Sequence, residues 1–215
     1  MLLEARDIGF RYGNGRWILR DINISLKSGE VVGLTGPSGC GKTTLGRILA
    51  GYEQPQQGSI ELNGTSLYTS GYNPVQLVFQ HPEKAVNTRW HMESTLKEGW
   101  EPDKDLLKAL GIEKEWGKRW PNELSGGELQ RFCVARALSP ATQFLIADEM
   151  TTMLDAITQA QIWQVILDTA CRRNMGVLIV SHEAKLLERL CSRIIKLNPC
   201  PEARGRSCAT STLLK

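Results

Sequence analysis

The amino-acid sequence predicts an α/β fold: a parallel-sheet core, an antiparallel β subdomain at its N-terminal side and a helical subdomain inserted between the two halves of the core. Three observations carry this. The first thirty-five residues are β-rich, and short apolar strands alternate with helical stretches after residue 134. Between them, His81 to Phe132 sets Trp90, Trp100, Trp116 and Trp120 among many charges, without β-branched runs.

With 215 residues, 41% of them apolar, the chain is long enough to bury one substantial core. The division expected is a single domain over 1–197, with a core of 1–80 and 134–197 and a helical insert of 81–133. A short tail, 198–215, follows. No internal repeat is visible.

Along the chain, Leu2 to Phe10, Ile18 to Leu26 and Val31 to Thr35 read as strands, parted by the turn-forming Gly13-Asn14-Gly15 and Lys27-Ser28-Gly29. A glycine-rich turn leads to a helix from about Thr43 to Ala50, and Gly58 to Leu62 and Val75 to Phe79 add two strands. Beyond the insert, Phe144 to Ala147 and Val177 to Val180 are apolar throughout, as in a parallel sheet covered on both faces. The helix between them, Ala156 to Arg173, lines up Ile162, Val165, Ile166 and Ala170 on one face. Arg193 to Leu197 is expected to add a last strand. The tail after it, rich in Pro, Gly, Ser and Thr, is expected to be loosely held.

Lysine and arginine number 26 against 23 acids, and a net charge of +3 does not call for a nucleic-acid surface. No apolar run approaches the roughly 20 residues that cross a bilayer, and Met1 to Asp7 has no signal-peptide core. The chain is expected to stay in the cytoplasm unless a partner holds it at a membrane. Cys40, Cys133, Cys171, Cys191, Cys200 and Cys208 show no C-x-x-C spacing, so most are expected to be small buried apolar residues.

Gly36-Pro37-Ser38-Gly39-Cys40-Gly41-Lys42-Thr43 fits G-x-x-x-x-G-K-[ST] between a strand and a helix, the place its mechanism requires. The glycines let backbone N–H groups face phosphate oxygens, and the helix N-terminus adds to the field. Lys42 is then expected to reach β- and γ-phosphates while the Thr43 hydroxyl takes a place on Mg²⁺. Such a loop needs an acid on a neighbouring strand. Asp148, ending Phe144-Leu145-Ile146-Ala147-Asp148, is the candidate metal partner, and Glu149 after it is placed to polarise the attacking water. His182 also follows an apolar strand, where ligands of open α/β sheets gather; its expected role is to contact the γ-phosphate, although a lone histidine is more often structural.

Leu124-Ser125-Gly126-Gly127-Glu128-Leu129-Gln130-Arg131 is physically a second anion site, a hydroxyl and bare glycine N–H groups opening a helix from about Glu128 to Leu138. Two such sites in one chain, the second about eighty residues after the first, suggest that the second serves a nucleotide on another subunit. The alternative is an ordinary N-cap at Ser125.

These motifs, in this order from Leu3 to about Leu197, resemble the ABC ATPases. The resemblance implies a phosphate-loop NTPase of the ABC type that binds ATP and Mg²⁺ and hydrolyses ATP. Tyr12 resembles the aromatic that stacks on adenine, Gly36 to Thr43 with Thr44 the Walker A loop, and Gln80 the glutamine that binds Mg²⁺ and senses the transmembrane subunit. Ser125, Gly126, Gly127 and Glu128 resemble the signature that closes over the partner's ATP. Asp148 resembles the Walker B aspartate, Glu149 the catalytic glutamate, Asp155 the inter-subunit loop aspartate and His182 the switch histidine. From the residues alone, Tyr12 would equally be a core or turn aromatic and Gln80 a plain polar residue after a strand.

Phe79-Gln80-His81-Pro82-Glu83-Lys84-Ala85-Val86-Asn87-Thr88-Arg89-Trp90 and Thr151 to Ile162 look like importers of peptides, nickel and metal chelates, with Thr88 and Met150 standing where prolines are commoner. That implies a second ATPase subunit, the same or related, two transmembrane permease subunits and, indirectly, an extracytoplasmic binding protein. It also implies a peripheral location on the cytoplasmic face of the inner membrane, and no nucleic acid. Such importers carry a longer cysteine-bearing extension; Cys200 and Cys208 alone are too few for an iron–sulfur cluster. The competing classes are a soluble ABC ATPase of the repair, translation or cluster-assembly type and a non-hydrolysing regulatory module. A repair ATPase would need a long coiled coil, a translation factor two ATPase domains, and a regulatory module would be expected to lack Glu149 or His182.

Overall fold

In a computed structural model, residues 1–67, 71–200 and the backbone of 212–214 are described. The N-terminal sheet is built around strand β1 (Leu2–Phe10), which pairs antiparallel with β2 (Leu19–Lys27) on one side and β4 (Gln57–Leu62) on the other. Ala5 lies opposite both Ile24 and Ile60, and all three are buried, so the alternation of β1 is read by both neighbours. The sequence reading missed β5 (Thr65–Ser66), a two-residue strand that completes a hairpin with β4. Its signal is Asn63-Gly64, both at positive φ, the tight turn that suits the twist of paired strands.

The second sheet has the order β10-β9-β3-β8-β7-β6, β10 being Thr212–Leu214. Strands β3 (Val31–Thr35), β6 (Val75–Val78), β7 (Phe144–Asp148), β8 (Gly176–Val180) and β9 (Arg193–Lys196) run parallel. Every residue of β7 and β8 is buried because both faces of the sheet are covered. The pleat divides them: Phe144, Ile146, Leu178 and Val180 join a core with the N-terminal sheet and helix α1 (Lys42–Leu49). Leu145, Ala147, Val177 and Ile179 face a second core shared with α4 (Gly126–Ala137) and α5 (Ala156–Arg173). A period of two in one apolar run thus feeds two cores.

The insert contains α2 (Met92–Lys97), α3 (Lys104–Ala109) and 3₁₀ turns at Pro82–Lys84, Lys114–Lys118 and Pro121–Glu123. The boundary drawn at 133 needs correction. It falls inside α4, whose Phe132, Cys133, Val134 and Ala135 are all buried in one continuous core, so the helix runs on from insert to sheet. Trp100 reaches across with Nε1 donating to the Arg136 carbonyl at 2.9 Å. Helix α6 (Ala184–Leu190) leads into β9.

Two further expectations change. Among the described cysteines only Cys40 and Cys133 are buried; Cys171 is exposed and Cys191 and Cys200 are half-buried, while Cys208 lies outside the described residues. Cys171 sits on the solvent side of α5, where its neighbours in sequence, not its own apolarity, decide its burial. The tail is not loose throughout: β10 (Thr212–Leu214) pairs antiparallel with β9, Thr212 opposite Lys196 and Leu214 opposite Ile194. Pairing there covers what would be an open sheet edge. Residues 201–211 and 215 lie outside the described residues. Among the described residues no helix is long and apolar enough to cross a membrane.

Candidate nucleotide site

Strand order decides what meets at the site. Because β7 lies between β6 and β8, with β3 beyond, the segments leaving their C-terminal ends emerge side by side: Gln80 after β6, Asp148 and Glu149 at β7, His182 after β8 and the glycine-rich loop after β3.

The loop runs from Gly36 to Gly41 and opens α1. Gly41 sits at φ 100° and ψ 12°, a left-handed conformation open to glycine, and a Cβ there would lie 2.7 Å from Leu19 Cδ2. With no side chain at Gly41 and no acid in the first turn, the N–H groups opening α1 remain available to an anion, and Thr43 and Thr44 stand in that turn. Lys42 is buried. Its Nζ donates to the carbonyls of Gly36 at 3.0 Å and Pro37 at 3.1 Å, using two of three donors and holding the ammonium across the loop. Ser38, Gly39 and Cys40 complete the turn, Cys40 with its thiol buried beneath it.

Thr43 Oγ1 donates to Asp148 Oδ1 at 3.2 Å, joining the loop to the acid of β7. Burial pushes the Asp148 carboxyl above the usual carboxylate range, with the Thr43 hydrogen bond opposing it and the Glu149 charge adding to it. Glu149 is held in the left-handed region at φ 46°, unusual outside glycine, and its N–H donates to the Val180 carbonyl of β8 at 3.0 Å. Its carboxylate accepts from Gln80 Nε2 at 3.3 Å on one oxygen and lies 3.4 Å from His182 Nδ1 on the other. The strained backbone aims this side chain between its two neighbours.

The remaining candidates lie apart from this cluster. Tyr12 is 51% exposed, edge-on to Phe10 at 4.9 Å, in the turn after β1. Leu19 of β2 faces Gly41 and pairs with Phe10, so Tyr12 stands two residues beyond the strand partner of a loop-flanking residue. Ser125 is the N-cap of α4: its Oγ accepts from Glu128 N–H at 3.2 Å, and its N–H donates to Glu128 Oε2 at 2.6 Å. Those bonds hold the Glu128 carboxyl below its usual range, the backbone bond from Ser125 foremost. Ser125 and Gly126 are exposed. Asp155 is the N-cap of α5, accepting from Ile157 and Thr158 N–H at 3.0 Å each, and the Thr158 backbone bond leads in lowering its pKa.

The sequence reading missed the side chains that join these segments. Gln130, buried in α4, donates Nε2 to the Phe79 carbonyl at 3.1 Å, tying that helix to the chain just before Gln80. Its signal was a polar residue at a position facing the core. Between insert and sheet, a groove of about 290 Å³ is lined by Tyr52, Tyr72, Phe79, Glu98 and Arg136, with Arg136 Nη1 donating to Glu98 Oε2 at 2.8 Å.

A phosphate-type loop opening a helix, with two acids at the carboxyl end of a neighbouring parallel strand, defines an α/β phosphate-loop ATPase. The family model described as ABC transporter matches residues 19–152. The chain belongs to the ABC transporter family, as an ATPase that binds ATP. A nickel import ATP-binding protein NikE of Escherichia coli O6:K15:H31 (strain 536 / UPEC) is 32% identical over 92% of this chain and 84% of that protein. The nickel import system ATP-binding protein NikE of Staphylococcus aureus (strain N315) is 33% identical over 91% of this chain and 86% of that protein. Among solved structures, the ATP binding subunit of an ABC transporter superposes with a TM-score of 0.80 at 21% identity, covering 92% of this chain and 86% of that one. A dimeric ATP-binding cassette in a post-hydrolysis state bound to ADP and Pi has a TM-score of 0.77 at 24% identity, covering 91% and 94%.

Proposed function

We propose that this chain drives an importer of nickel, a metal chelate or a peptide, closing head to tail with a second ATPase subunit around two ATP molecules. The observation that carries the catalytic part is the meeting of the Lys42 loop, the Thr43–Asp148 bond and the Gln80–Glu149–His182 contacts on one sheet edge. The choice of cargo is supported by the nickel import names of the relatives and by the Phe79 to Trp90 stretch.

In this reading the loop N–H groups and Lys42 hold the β- and γ-phosphates, and Tyr12 offers its exposed ring to the adenine. Glu149 takes a proton from the attacking water, while His182 steadies the carboxylate and faces the γ-phosphate. Magnesium suits the oxygen donors present, since the Thr43 hydroxyl and the Asp148 carboxylate already lie 3.2 Å apart and the Gln80 amide oxygen is a third. When bound it would neutralise charge on the phosphates. Ser125 to Glu128 and Asp155, at two helix N-termini where Ser125, Gly126 and Asp155 are exposed, face the nucleotide held by the other subunit.

Closure is carried to two permease subunits through the Gln80 region, and the groove beside Phe79 gives a mixed aromatic and polar seat for a segment of a permease. The chain then works peripherally on the cytoplasmic face of the membrane, fed indirectly by an extracytoplasmic binding protein. Co-purification of the tagged chain with two membrane permeases, followed by nickel uptake assays in cells lacking it, tests the reading. Recovery as a soluble ATPase without membrane partners would replace it with a cluster-assembly or repair type.

A further inference from the structure

We propose that Arg131 is a positioning residue that ties the Ser125–Gly127 turn to the loop ending at Asp155, so that both segments move as one body. The inference rests on the reading above, in which both face the other subunit's nucleotide.

Arg131 lies on α4 with its guanidinium half-buried. Nη1 donates to the Leu110 carbonyl and, at 2.8 Å, to Gln161 Oε1; Nη2 donates to Thr158 Oγ1 at 3.2 Å. One planar fork of donors on the signature helix α4 thus reaches two other elements, the end of α3 and the first turns of α5. The last carbonyls of α3 have no partner within their own helix, and Gln161 Nε2 takes the Ala109 carbonyl at 2.9 Å beside them. The hub is packed to contact. Gly111 follows at φ 65°, and a Cβ there would lie 2.8 Å from Arg131 Nη1 and 3.1 Å from Gln161 Nε2.

The arm to Thr158 is what goes beyond holding α3. Thr158 donates its N–H to the Asp155 cap while its hydroxyl accepts from Arg131, so the cap and the guanidinium share one residue. At the other end, the capping box closes Ser125 onto Glu128, one turn before Arg131 on the same helix. The two segments also lie close together at Gly127: a Cβ added there would come within 3.4 Å of Leu154 Cδ2 and 4.0 Å of Thr158 Cγ2, so little space separates the turn from the loop. Bonds from a charged donor are roughly twice as strong as neutral ones. Two exposed helix N-termini, one from the insert and one from the core, are therefore braced by partly buried polar bonds that neither nucleotide nor partner has to supply.

The test uses the full chain, assembled with its partner subunits for turnover. Nitroxide labels at Asn122 and Ile157, both exposed, report the distance between the two segments by pulsed EPR, on a background in which Cys171, Cys191, Cys200 and Cys208 are replaced by serine. Thr158→Val removes only the hydroxyl arm and keeps the N–H that binds Asp155, Arg131→Lys keeps the charge without the fork, and Thr158→Ser restores the acceptor. The expected result is a narrow distribution in wild type and Thr158→Ser and a broadened one in Thr158→Val and Arg131→Lys. In the broadened variants nucleotide affinity of the isolated chain and KM stay unchanged, while kcat falls about tenfold or more, the scale at which misplacing a reacting group acts. A distribution that stays narrow overturns the proposal, and so does a broadened one with wild-type kcat. Failure of the underlying nucleotide-site reading would show separately, in Lys42 and Glu149 variants with Arg131 and Thr158 intact.

Discussion

Gln80 Nε2 donates to Glu149 Oε2 across 3.3 Å, so the residue leaving one strand holds the acid that ends the next. His182 Nδ1 stands 3.4 Å from the other carboxylate oxygen. The proposed base is gripped from both sides by chain ends that the sheet order brings together, and its geometry belongs to the sheet more than to its own loop.

Replacing Glu149 by glutamine isolates basicity from shape. The amide oxygen still accepts from Gln80, so the side chain keeps its place while losing its charge. ATP affinity is expected to persist, and turnover by the complete transporter to fall by about two to four powers of ten, the range for a positioned general base. With Mg-ATP and the partner ATPase present, the variant should run as a larger, ATP-bound species in size exclusion. Turnover at the wild-type rate would move the base elsewhere.

Lys42→Ala removes a buried ammonium that bridges the Gly36 and Pro37 carbonyls. A charged hydrogen bond is worth about 1.5–3 kcal/mol, so the dissociation constant for ATP should rise by roughly ten- to a hundredfold. Equilibrium titration with a fluorescent nucleotide measures it directly.

Ser125→Arg puts a long cation at an exposed N-cap whose bonds lie within α4. In the proposed two-subunit site Ser125 faces the other subunit's nucleotide, so binding of ATP to the isolated chain should be unchanged. Closure should be blocked, read as loss of the ATP-dependent dimer in the Glu149→Gln background. Weakened binding by the monomer would contradict the two-subunit site.

Glu30 and Arg193 make a two-pronged ion pair at the start of β3 and β9, Nε to Oε1 at 2.6 Å and Nη2 to Oε2 at 3.3 Å. The Arg193 hydrogen bond holds the Glu30 carboxyl below its usual range, burial opposes it, and the Lys27 N–H adds to the lowering. Because the folded pKa is depressed, the stabilisation is full above about pH 4, where free glutamate titrates, and is lost as the pH falls through the folded value. Glu30→Gln should cost about 1–2 kcal/mol at pH 7, and the gap to wild type should close in acid. Urea unfolding of both proteins at pH 7 and below pH 4 checks the sign.

By itself the sequence determined the elements and the chemistry they carry. Strands such as Phe144–Asp148 are legible because four apolar residues before an acid have few other uses, the helix Ala156–Arg173 because its apolar period is helical, and Gly36–Thr43 because the motif has a mechanical reason for each residue. Tertiary structure alone decided which distant residues touch. That Gln80 and His182 grip Glu149 follows from the order β6-β7-β8, a pairing among segments far apart in sequence. That Gln130 reaches Phe79 and Arg131 reaches Thr158 follows from how α4 lies on its neighbours. The edge pairing of β10 and the exposure of Cys171 are decided in the same way. The physical reason is common to all of them: periodicity and motif spacing are local properties of the chain, whereas strand order and helix packing are settled by burial and hydrogen bonding across the whole domain.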